Sequence, residues 1–141
     1  MRKNYKKGLS VELLRKSVLI SLLKVNTIPT VPTNHRQARS IQRKDIVGSL
    51  FDFQLPLVKD AGLQESEDKY CPTDVNDVLF SALKDLRNLG LAEENKGRAI
   101  LKHEAGDCEI DTRDFKITAK GLEVALKLQE HDDNERRFDN Q

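Results

Sequence analysis

The chain has 141 residues, of which 33% are charged and 5% aromatic with no Trp, which suits one soluble, helix-rich domain with a core of small side chains. No apolar run is long enough to span a membrane, and Glu12, Arg15 and Lys16 interrupt any secretory signal after the basic N-terminus, so a cytoplasmic protein with no membrane partner is expected. The net charge of +1 hides segregation: residues 1–44 hold 11 Lys and Arg against the single acid Glu12, and residues 45–141 hold 13 bases against 22 acids.

That division suits a surface for a polyanion, or acids folded back over the bases; sequence leaves both open. Residues 1–9 (MRKNYKKGL) form a basic arm without periodicity, either a solvated tail or a segment that lies along DNA phosphates. A domain is expected over 10–130. Residues 10–25 read as a helix with Ser10 at its cap and Glu12 in its first turn. Leu14, Val18, Leu22 and Val25 share one face, and Val11, Leu13, Ile20 and Leu23 widen it, which implies burial on more than one side or a dimer contact.

Pro29 and Pro32 hold residues 26–33 extended, a candidate first strand. A second helix starts at Asn34 or Ser40, with Ile46, Val47, Leu50 and Phe51 as its apolar face. Arg36, Arg39 and Arg43 fall on one side of it, and Lys44 adds to the charge. Residues 54–73 read as an inserted loop, with a turn of helix near 56–63 and an acidic stretch after it.

Residues 75–89 are the clearest helix. Val75, Val78, Leu79, Ala82, Leu83, Leu86 and Leu89 make its apolar stripe, Thr73 or Asp74 can cap it, and Gly90 suits a left-handed stop. The opposite face shows Asp77, Ser81, Lys84 and Asn88, flanked by Asn76, Phe80 and Arg87. Phe80 on that edge reads first as a core residue, with a thymine methyl or a protein partner as the alternatives. Residues 98–104 read as a strand, 105–107 as a turn and 108–117 as the returning strand. Thr118 can cap a last helix with Leu122, Ala125, Leu126 and Gln129 on one side, and residues 131–141 read as a disordered tail.

The segments ALKDLRNLGL at 82–91 and ITAKGL at 117–122, separated by a hairpin with Lys96, Arg98, Lys102 and His103 on or before its first strand, resemble the winged helix-turn-helix superfamily, most closely bacterial regulators of the PadR and MarR type. The resemblance implies an α+β, mostly α fold with a two-stranded wing and a C-terminal helix. It implies a transcriptional regulator that binds double-stranded DNA as a homodimer, with 75–89 as recognition helix and 96–117 as wing. The residue types suited to base edges and phosphates are then Asn76, Ser81, Lys84 and Arg87 on the helix, Lys96, Arg98 and Lys102 on the wing, and Arg36, Arg39 and Arg43 upstream. Against ordinary readout, Asp74, Asp77 and Asp85 leave the helix at net −1, and Asp107, Glu109 and Asp111 stand ready to pair the bases of the hairpin. A different class is therefore also open: a winged helix used as a protein-interaction module in a larger assembly or a phage or plasmid system.

No constellation for catalysis is present. His35, His103 and His131 are scattered, Cys71 and Cys108 have no CxxC partner, and there is no phosphate-cradling Gly loop. Neither an enzyme nor a cofactor is expected.

Overall fold

The computed structural model describes residues 11–32, 43–60, 70–102, 104 and 106–139. Among them are five helices and three strands, in the order α1 (Val11–Val25), β1 (Thr27–Thr30), α2 (Arg43–Gly48), α3 (Phe51–Asp60), α4 (Pro72–Asn88), β2 (Ala92–Leu101), β3 (Cys108–Ile117) and α5 (Ala119–Asp139). The architecture is α+β and mostly helical, with an antiparallel sheet in the order β1-β3-β2.

Helix α1 buries Leu14, Val18, Leu19 and Leu22, while Val11 and Leu13 at its start are exposed. Asn26 ends the helix at φ 70°, a left-handed turn that a short polar side chain tolerates. The chain then enters β1, where Pro29 is accommodated because β1 is an edge strand with only β3 beside it. The register sets Ile28 opposite Phe115 and Thr30 opposite Arg113.

The apolar face expected of one helix over Ile46–Phe51 is instead divided between α2 and α3. Gly48 weakens the helix there, and the Ser49 hydroxyl turns back to donate to the Ile46 carbonyl at 2.8 Å. The region read as an inserted loop is helical at its beginning, since α3 carries Pro56 within it; residues 61–69 lie outside the described residues.

Helix α4 begins at Pro72, before either residue expected to cap it. Cys71 is the N-cap in an extended conformation and makes no side-chain cap bond. Proline explains the earlier start: its φ is already helical and its missing N–H is one the first turn could not have used. The C-terminus closes as the sequence predicts. Gly90 takes φ 80°, its N–H reaches the Arg87 carbonyl at 3.0 Å, and the Leu91 N–H reaches Leu86 at 2.9 Å, a Schellman closure.

Two clusters make the core. The larger joins α1, α3, α4, the base of the sheet and Ala125 of α5. Phe80 belongs to it, edge-on to Phe115 with ring centroids 6.1 Å apart, so the core reading of Phe80 holds. The smaller joins Val31, Ile46, Val47 and Leu50 to Leu101 and Ile110 near the end of the hairpin. Phe115 and Ile110 point to opposite faces of β3, so the hairpin buries one face at its base and the other near its tip. The far end of the β2–β3 hairpin is thus packed against α2.

Thr118 caps α5, accepting the Gly121 N–H at 3.0 Å. The helix runs to Asp139, past His131 where the sequence suggests a disordered tail.

Candidate functional site

Ser81 and Asn88 are exposed on α4, with Asp77 and Lys84 partly so, and together they form one stripe at helical spacing. The Lys84 ammonium lies 5.3 Å from the centre of the Phe80 ring, which holds its stem along α4 while leaving its charge accessible. Asp85, an acid that weakens the case for anion binding, is engaged by Arg15 of α1 at 2.8 Å.

Asn76 does not belong to this surface. It is fully buried, its Oδ1 accepts the Val31 N–H at 2.9 Å and its Nδ2 donates to the Val31 carbonyl at 2.8 Å. Gln54 of α3, also buried, donates to the Asn76 Oδ1 at 3.1 Å and to the Pro29 carbonyl at 2.9 Å. The sheet ladder of β1 ends at Thr30, so the next peptide needs both a donor and an acceptor, and the Asn76 carboxamide supplies them. The sequence signal was the i, i+4 relation of Asn76 to Phe80, which places both toward the core side of α4.

On the hairpin, Lys96 is exposed and has no ion-pair partner among the described residues. Arg98 is engaged across the strands by Glu109 at 2.8 Å and approaches Asp111 at 3.8 Å, as the acids of the second strand allow. These pairs are exposed, so they contribute little to stability and can exchange for other partners. Lys102 is exposed and lines an open groove of about 530 Å³ with Lys44, Asp45, Gly48, Ser49, Leu101 and Glu104. Arg36 and Arg39 lie outside the described residues, as does the side chain of Arg43 at the start of α2.

Two residues not singled out from sequence connect α4 to the hairpin. Glu94 of β2 pairs with Arg87 of α4 through one carboxylate oxygen, and its other oxygen lies 3.6 Å from Nε of Arg113 on β3. Arg113 stands directly opposite Lys96 in the register. Lys96, Arg98, Arg113, Asp111 and the backbone at Gly97 line a cleft of about 260 Å³. Counting from the turn expected at 105–107 would have set Lys96 opposite Lys116; Arg113 is its partner because the strands pair Leu101 with Cys108 across a longer connection.

Among the described residues no group of three or more His, Cys, Asp or Glu side chains could hold a metal, and no helix is long and apolar enough to cross a membrane. No family model matches the chain, and no curated protein or solved structure matches it either.

Proposed function

We propose that the chain is a winged helix-turn-helix protein that binds double-stranded DNA as a homodimer and regulates transcription in the cytoplasm. The observation that carries this reading is the order α1-β1-α2/α3-α4-β2-β3-α5 around a β1-β3-β2 sheet, with a hairpin carrying Lys96, Arg98 and Lys102 directly after α4. In this reading α4 presents Ser81, Lys84 and Asn88 to a groove, and Lys96, Arg98 and Lys102 of the wing meet phosphates. Asn76 is removed from the contact set, because its carboxamide is committed to Val31. The exposed Leu122 and Leu126 of α5 supply the apolar face for a second subunit.

Fluorescence anisotropy of a labelled random duplex at two salt concentrations tests it. Binding that weakens steeply with salt, and is reduced when Lys84, Arg87 and Arg98 are substituted together, supports the reading. No binding at low salt, or affinity unchanged in the triple variant, overturns it.

A second reading, a protein-interaction module, draws on the apolar side chains left exposed at the site's edges, Leu89 after α4 and Ile100 on the hairpin. Phe80 lies in the core, so Ile100→Asp is the variant that tests this reading. Loss of one stoichiometric protein from a pull-down with this variant favours the module.

A further inference from the structure

We propose that Arg87, Arg113 and Lys96 form one phosphate-binding site that Glu94 occupies from within the chain, and that a backbone phosphate of duplex DNA takes the place of the Glu94 carboxylate. This inference rests on the DNA-binding reading and names which part of the surface is held in reserve.

The three cations come from three elements, α4, β3 and β2, and the sheet register together with the Glu94 ion pairs brings them to one place. Glu94 uses its two oxygens separately, one for Arg87 and one toward Arg113. A phosphodiester offers two non-bridging oxygens that can divide between two guanidinium groups in the same way. With the adjoining Arg98 and its acids Glu109 and Asp111 included, four cations face three carboxylates, and one positive charge is left over. Lys96 and Arg113 face each other directly across the strands, an arrangement that repels until an anion lies between or above them. The cleft that both line is open to solvent on the same stretch of hairpin. Glu94 has a side-chain exposure of 17% and Arg113 of 29%, so the pairing is partly shielded from water and salt and holds the arginines in place before DNA arrives.

Replacement of Glu94 by phosphate has a clear electrostatic consequence. While Glu94 holds the arginines, neither contributes fully to phosphate neutralisation. Removing the charge of Glu94 frees both.

The test compares Glu94→Gln with Glu93→Gln, which removes the same charge from the exposed neighbouring position on β2. Both are titrated with a random duplex at several salt concentrations, after circular dichroism has established that they fold. The expected result is several-fold tighter binding by E94Q, with the slope of log K against log salt steeper by about one to two units; E93Q moves both quantities less. Adding Arg113→Gln to E94Q removes the gain. Glu94→Asp, which keeps the charge and shortens the reach by one methylene, gives a smaller gain and serves if E94Q does not fold. Duplex binding by the unsubstituted chain with E94Q no tighter than E93Q overturns this inference and leaves the DNA reading standing. No duplex binding by any of the proteins at low salt overturns the DNA reading and this inference with it.

Discussion

Gly121 of α5 lies against the backbone of Leu91, so closely that a Cβ built on it would overlap the Leu91 carbonyl oxygen and sit 2.9 Å from both the Leu91 carbonyl carbon and Cγ1 of Ile117. Around this contact the exit of α4 and the entry of α5 are bonded together: Thr118 donates its N–H to Leu91 at 3.1 Å and its hydroxyl to Gly90 at 2.7 Å. An alanine in a helix interior is ordinarily better than glycine by up to about 1 kcal/mol. Here the methyl group meets backbone that cannot turn aside, and overpacking at such a place costs about 1–3 kcal/mol. Gly121→Ala is therefore expected to destabilise the protein, read as a lower midpoint in urea denaturation. An unchanged or raised midpoint would show that α5 can shift away from Leu91.

Thr118 joins the same two helices by a different interaction. Its hydroxyl accepts the Gly121 N–H while donating to Gly90, so Thr118→Val keeps the shape and removes both bonds. Loss of the cap alone costs about 1 kcal/mol. Thr118→Ser restores most of the stability in thermal melts, because the oxygen is retained. If the valine and serine variants melt alike, the hydroxyl is not what ties α4 to α5.

The buried carboxamide of Asn76 predicts a separation of stability from binding. Asn76→Ala leaves the Val31 N–H and carbonyl without their partner and is expected to cost about 1–3 kcal/mol for each group left unpaired. Below its melting temperature the same variant binds duplex with an unchanged salt slope, whereas Lys84→Ala lowers that slope by about one unit at nearly unchanged stability. A weaker slope in Asn76→Ala would return this residue to the contact surface.

Packing of the hairpin end against α2 is tested at Ile110, which is buried in the small cluster with Val31, Ile46, Val47 and Leu50. Ile110→Ala removes that contact and is expected to destabilise by about 2–5 kcal/mol. Amide exchange should accelerate most near Leu101 and Cys108, because their strand ends are held by the same cluster. Uniform acceleration through the protein would mean that the cluster is not a separate cooperative unit.

Local chemistry was legible in the sequence, and long-range pairing was not. Gly90 after a leucine stripe, the returning strand over 108–117 and Thr118 before a helix each declare themselves within a few residues, because turn and cap geometry is set by adjacent side chains. The two-proline segment gave β1 for the same reason. Asn76 misled because its partner is 45 residues away, at a peptide whose ladder ends. Arg87 looked free in sequence because Glu94 reaches it only once the hairpin closes, whereas the pairing of Arg98 by Glu109 was legible from the acids of the second strand. Proline at the start of α4, glycine and serine between α2 and α3, and a charged extension of α5 show the limit from the other side: these composition signals were present, but packing decided where each helix began and stopped.

The exposed leucines of α5 supply the last prediction. Leu122 is 40% and Leu126 50% exposed, one helical turn apart, while Ala125 between them is fully buried against the core. The two leucines thus flank the buried stripe of α5 and leave apolar side chains in water beside it. Leu122→Lys with Leu126→Lys should leave the melting temperature of an isolated subunit nearly unchanged, since substitutions at exposed positions usually stay within about 0.5 kcal/mol. If the leucines hold two subunits together, sedimentation equilibrium gives a dimer for the original chain and a monomer for the double variant, and duplex affinity falls because one subunit makes half the phosphate contacts. If the original chain is already a monomer at the concentrations used for DNA binding, the homodimer is ruled out there. The leucines must then be explained as a surface for some other partner.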